Sequence, residues 1–175
     1  MTESGNASSH ASAVLVGSRA VLIRGPSGSG KSRLAFDLIL AGRAGQIPEA
    51  VLIGDDRVHL QAIKGQLVVR PARELAGLIE IRGLGIRRCP FAEQASVGLL
   101  VDLFAEDAER LPAAEALQAD IAGVKIPRIP VAEGFAPLPM VVAALTMAAG
   151  SPSEQPAPDC WKGIGNHITP TIATE

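Results

Sequence analysis

The sequence predicts an α/β fold, and three observations predict it. Its apolar residues are almost all aliphatic, since hydrophobic residues make up 47% of the chain and aromatic ones 3%, which suits a sheet buried on both faces by helices. A short apolar run leads into a glycine-rich loop that opens a helical stripe, giving the order strand, loop, helix. A second apolar run ends in two adjacent carboxylates, at the strand end where open α/β sheets gather ligand-binding groups.

With 175 residues, the chain is long enough to bury a core without disulfide or metal staples. We expect one domain over residues 1–149 and a flexible tail over residues 150–175, which hold four prolines and many small polar residues. Residues 1–13 are small and polar and lack the basic start and apolar stretch of a secretory signal. Runs at residues 14–16 and 20–24, joined by Gly17, Ser18 and Arg19, read as a hairpin. Leu34, Phe36, Leu38, Ile39 and Ala41 then form a helical stripe that stops near Gly42 and Gly45. A strand at residues 51–53 leads to Gly54, Asp55 and Asp56, and residues 58–63 and 67–70 flank Lys64 and Gly65 as a second hairpin. A short helical turn near residues 71–75 and strands around 78–82 and 97–103 follow. Pro112, Pro127 and Pro130 break up residues 106–131, which therefore read as edge strands and turns. Residues 139–149 could form a closing helix.

Bulk properties exclude several functions. The formal net charge is −2, and no basic run exceeds Arg87 and Arg88, so the footprint of a nucleic-acid binder is missing. Cys89 and Cys160 stand far apart with no Cys-x-x-Cys spacing, which indicates reduced thiols rather than a zinc site or a disulfide framework. The longest apolar stretch, residues 140–149, is too short to cross a bilayer. A cytoplasmic location is the expectation.

Three motifs can carry chemistry. Gly25, Pro26, Ser27, Gly28, Ser29, Gly30, Lys31 and Ser32 fit the phosphate-binding pattern G-x-x-x-x-G-K-[ST] between a strand and a helix. Backbone amides and the positive helix end would face a β-phosphate, Lys31 would reach the β- and γ-phosphates, and Ser32 would hold Mg²⁺. Asp55 and Asp56 form the second motif, because transfer of a phosphoryl group to a hydroxyl needs a carboxylate for the proton and gains from another near the metal. Residue types alone do not separate their roles. The third is Glu80, Ile81, Arg82, Gly83, Leu84, Gly85 and Ile86, in which a carboxylate and a guanidinium end a strand just before two turn-forming glycines.

In this order, GPSGSGKS, LIGDDRV and GLIEIRGLGI resemble the catalytic domain of bacterial HPr kinase/phosphorylase over roughly residues 10–135. The resemblance implies a P-loop fold of the type shared with phosphoenolpyruvate carboxykinase, with a mixed sheet flanked by helices. It implies ATP and Mg²⁺ as cofactors and phosphorylation of a serine on HPr, a small phosphocarrier protein, with possible reversal by phosphorolysis. Carried over, Lys31 contacts the nucleotide phosphates, Ser32 and Glu80 ligate Mg²⁺, and Asp55 accepts the proton with Asp56 in support. His10 matches the spacing of a histidine that holds the transferred phosphate. Arg110 resembles a catalytic arginine, while Arg82 and Arg128 are candidate substrate contacts. A homo-oligomer, hexameric in the family, is implied as well.

The chain departs from longer members by lacking an N-terminal domain, by a shortened segment between Glu80 and Arg110, and by Phe135 where an Arg is usual. These departures put phosphorolysis and hexamer assembly in doubt. The short form resembles alphaproteobacterial members, which act in regulation of carbon or nitrogen metabolism. Two other readings stand beside this one: a P-loop kinase of a small metabolite, and a non-catalytic ATP-binding sensor.

Overall fold

A computed structural model describes residues 7–150. The expected tail beyond Gly150, with Cys160, lies outside the described residues. Among the described residues the strands are β1 (Ala7–Ser9), β2 (Ser12–Val16), β3 (Arg19–Arg24), β4 (Ala50–Gly54), β5 (Val58–Ile63), β6 (Gln66–Pro71), β7 (Leu78–Ile81), β8 (Gly85–Arg88), β9 (Ala95–Leu103), β10 (Gln118–Ile121) and β11 (Val124–Val131). Helix α1 covers Lys31–Arg43 and helix α2 covers Pro137–Thr146.

The main sheet runs β1-β5-β6-β9-β3-β2-β4, with β11 joined to β9 and β10 to β11, while β7 and β8 form a separate hairpin. It is mixed: β3 and β11 lie parallel to β9, and the other ladders are antiparallel. Alternation along β3 divides the core, as period-2 geometry requires. Val21 and Ile23 point to one face and Ala20 and Leu22 to the other. The first face receives α1 through Leu34, Ala35 and Leu38 and α2 through Val141.

The second face departs from the expected helix on each side. Val58, Leu60, Leu67 and Val69, from the β5–β6 wing, pack with Ala13, Leu22 and Ile53 instead. Each fully buried Leu or Ile there contributes about 1.5–3 kcal/mol relative to exposure. The sheet thus curls and covers itself, so both helices are free to occupy the face beside the glycine-rich loop. Among the described residues, no helix is long and apolar enough to cross a membrane.

Both sequence-read hairpins form, β2 with β3 and β5 with β6. The proline-rich region contains β10 and β11, and β11 is not simply an edge. Its residues 124–127 pair with β10 and its residues 128–131 pair with β9. Because each half has one ladder partner in these registers, Pro127 and Pro130 can be accommodated within the strand.

Candidate active site

The glycine-rich loop joins β3 to α1 and is shaped by tight backbone approaches. Gly25 has φ 151°, and a Cβ there would lie 2.6 Å from Ser29 Oγ and 2.9 Å from Leu103 Cβ, so only glycine fits. Gly30, the N-cap of α1, adopts a left-handed φ of 94°. Among the described residues no side chain caps α1, and its first turn carries no acidic residue. The free amides and positive dipole end of α1 therefore face the loop, an arrangement that suits a phosphate. Ser29 Oγ is buried and has no hydrogen-bond partner among the described residues, and a phosphate oxygen would satisfy it. The residues present fit a nucleotide phosphate.

Lys31 is 6% exposed and its ammonium donates to the carbonyls of Gly25 at 2.9 Å and Pro26 at 3.0 Å. Burial holds its pKa below the ordinary lysine value, while the charges of Asp56 and then Asp55 pull it back up. That opposition places both carboxylates within electrostatic reach of the loop lysine.

Asp55 follows the end of β4 and is 3% exposed. Its Oδ1 accepts a 2.6 Å hydrogen bond from the Ser12 hydroxyl, and its Oδ2 accepts one from the Glu80 backbone amide at 3.1 Å. A carboxylate offers about four lone-pair sites, so acceptor capacity is left over. Asp56 is exposed, with a left-handed φ of 65°, a conformation that Asp tolerates better than most residues. His10 Nδ1 lies 3.3 Å from Asp56 Oδ1. The fold therefore brings His10, Asp55, Asp56 and Glu80 to one corner, with Lys31 in electrostatic reach of the two aspartates.

Glu80 ends the buried part of β7 and turns its side chain to solvent. Among the described residues, no three His, Cys, Asp or Glu side chains cluster as a self-sufficient metal site. A Mg²⁺ held by Ser32 and Glu80 would complete its shell with phosphate and water oxygens, as this ion commonly does. Arg82 is exposed in the β7–β8 turn. Cys89 is half-buried and, among the described residues, has no disulfide partner; burial raises the pKa of its thiol.

A second constellation lies on the other side of the loop, and sequence reasoning missed most of it. Arg24, the residue before Gly25, donates from Nε to Asp102 Oδ1 and from Nη2 to Asp102 Oδ2, both at 2.8 Å. Arg128 donates from Nε to the same Asp102 Oδ2 at 2.6 Å. Burial pushes the Asp102 carboxyl up, but the hydrogen bonds from Arg24 and Arg128 outweigh it, and the pKa falls below the usual carboxylate range. The readable signal was Leu99, Leu100, Val101 and Asp102, an apolar strand ending in a carboxylate. Ser12 carried no such signal, because a serine at the start of an apolar strand has no distinctive spacing.

Arg128 departs from the expected substrate contact. Its side chain is 13% exposed, and all three of its nitrogens already donate to Asp102, Asp107 or the Ala116 carbonyl. A guanidinium so engaged would have to give up internal bonds to reach a substrate. Arg110 is exposed in the loop between β9 and β10, and among the described residues it makes no hydrogen bond or ion pair.

Comparison with known proteins agrees with this geometry. A family model described as the HPr serine kinase C-terminal domain matches residues 3–151. The chain is 42% identical over 66 residues to the HPr kinase/phosphorylase of Clostridium beijerinckii, covering 38% of this chain and 20% of that protein. It is 40% identical over 80 residues to the HPr kinase/phosphorylase of Mycoplasma mycoides, covering 46% of this chain and 23% of that one. The matched stretches thus span only about a fifth of these curated relatives. Among solved structures, the Hpr(Ser) kinase/phosphatase from Coxiella burnetii superimposes with a TM-score of 0.63 and 26% identity, over 79% of this chain and 93% of that one.

Proposed function

This chain belongs to the HPr serine kinase C-terminal domain family, and from that premise we propose that it is an ATP-dependent kinase acting on a serine of an HPr-type phosphocarrier protein. The observation that carries the reading is the buried Asp55 carboxylate, held by Ser12 and by the backbone of Glu80, within electrostatic reach of Lys31. A bare nucleotide sensor has no need of a buried, oriented carboxylate at that point.

ATP with Mg²⁺ would supply the phosphoryl group and neutralise its charge; Gly25 to Ser32 would hold the phosphates, and Ser32 with Glu80 the metal. Lys31 offsets phosphate charge from its position on the loop carbonyls. Asp55 takes the proton of the incoming serine hydroxyl on a carboxylate oxygen, with Ser12 fixing the orientation of that carboxylate. In the reverse, phosphorolytic direction the same group returns the proton. Asp56 and His10, paired at the exposed rim, hold charge and hydrogen-bonding groups where the transferred phosphate would leave. Arg82 is a contact for the protein acceptor, and Arg110 neutralises developing charge from its loop. Residues 1–149 act as one catalytic unit, assembled as a homo-oligomer.

The test is incubation of the purified chain with HPr, Mg²⁺ and ATP labelled at the γ-phosphate, with acid-stable phosphoserine as the readout. Phosphoserine on HPr that disappears in Lys31→Ala is the expected result. ATP binding without any transfer to HPr would overturn the reading in favour of a metabolite kinase or a sensor.

A further inference from the structure

The loop between β9 and β10 is closed by one residue that belongs to neither strand. Immediately after β9, Phe104 takes a left-handed φ of 58°, a conformation that a bulky side chain holds only when its surroundings impose it. The next residue, Ala105, donates its amide to the Val131 carbonyl at 3.0 Å. Residues 107–116 then arch away and carry Arg110. Both ends of the arch meet Arg128: its Nη1 and Nη2 grip Asp107 at 2.6 and 2.9 Å, and the same Nη1 donates to the Ala116 carbonyl at 2.9 Å. Its backbone amide adds a 2.8 Å bond to the Leu117 carbonyl.

The third nitrogen of Arg128 ties this closure to the phosphate loop. Nε donates to Asp102, and Asp102 holds Arg24 by a two-bond fork directly before Gly25. Planar guanidinium–carboxylate forks fix direction as well as distance. The chain Arg24, Asp102, Arg128, Asp107 therefore sets the arch in a defined position relative to the phosphate loop. Asp107, whose side chain is 51% exposed, is held below the usual carboxylate range chiefly by its hydrogen bonds from Arg128.

We propose that Arg128 is a positioning residue, a staple that gathers both ends of the 107–116 arch and, through Asp102, sets Arg110 relative to the phosphate loop. The proposal rests on the kinase reading for the role of Arg110, while the staple itself rests on the contacts above. It replaces direct substrate contact as the role of Arg128, and it makes Asp107 part of the kinase through geometry rather than through chemistry.

Asp107→Asn is the informative variant, because an exposed side chain can lose its charge without emptying the core. The expected effect is a turnover on HPr about tenfold lower with the KM for ATP unchanged, as for a displaced but intact catalytic group. In an Arg110→Ala background the same substitution is expected to cost nothing further, since both act through one side chain. Limited trypsin digestion supplies a readout independent of activity: cleavage after Arg110 should quicken in Asp107→Asn and in Arg128→Lys. Unchanged cleavage in both variants, or a full additional loss in the Arg110→Ala background, would overturn the proposal. Absence of transfer by the unaltered chain would instead overturn the kinase reading, and the cleavage rates would still decide whether the staple exists.

Discussion

Two aspartates on either side of the strand that launches the glycine-rich loop meet opposite environments. Asp55 is bonded to a hydroxyl and a backbone amide and, among the described residues, has no guanidinium partner, whereas Asp102 is bonded to two guanidinium groups. The first is oriented by neutral donors and keeps acceptor capacity to spare; the second has its charge neutralised and its oxygens tied up. A carboxylate near a phosphate loop is therefore not by itself a sign of catalysis. What bonds to it separates the carboxylate we propose to react from the one that holds a frame.

The largest effect should come from removing the first carboxylate's basicity. Asp55→Asn keeps the shape and can still accept from the Glu80 amide, its NH2 donating to the Ser12 oxygen instead, but is expected to lower transfer to HPr by about 10²–10⁴-fold, with ATP binding retained in calorimetry. If turnover survives, the proton goes elsewhere and the contrast between the two aspartates collapses.

Asp102→Asn should also lower stability, by about 2–3 kcal/mol, because Arg24 loses its counter-charge and Arg128 loses one of its two carboxylate partners. The effect has a pH signature. Because the folded carboxyl is held low, its contribution is complete above the unfolded value of about 3.9 and is lost as pH falls through the lower folded value. Urea midpoints measured across the acid range should fall less steeply with decreasing pH in Asp102→Asn than in the unaltered chain. Parallel curves would show that Arg24 and Arg128 do not set that carboxyl.

The smallest of the three effects is expected from Ser12→Ala, which frees one oxygen of Asp55 while leaving the Glu80 amide in place. Turnover about tenfold lower, roughly 1.4 kcal/mol, would mark Ser12 as an orienting group. A loss as large as that of Asp55→Asn would mean that the hydroxyl does more than orient.

What was legible in the sequence was local. The Gly25 to Ser32 loop, the strand ending at Asp55 and the hairpins announce themselves through spacing within a dozen residues, and the fold follows them. The Arg24–Asp102 fork joins residues 78 apart, and the Ser12–Asp55 bond joins residues 43 apart. Neither has a periodicity to read, because the sheet order that makes them neighbours is decided by packing. Arg128 shows the same limit. Its position within a recognisable stretch suggested an outward contact, whereas its partners Asp102 and Asp107 lie 26 and 21 residues away and turn it inward. The curled wing was illegible for a related reason: alternation reports that β5 and β6 have a buried face but not what lies against it.

Strand β9 carries a consequence for the order of assembly. It borders β3, β6 and β11, yet it is made only after residues 25–94, and β3 has waited since residue 24 with one side unpaired. Until residues 95–103 arrive, the strand that launches the phosphate loop is an open sheet edge, the kind of surface that pairs with the wrong neighbour. Closing it spans a long stretch of chain, which slows folding relative to a local hairpin. A nascent fragment ending before Ala95 would carry every residue of the phosphate-binding motif and lack the ladder and the ion pair that hold it in shape.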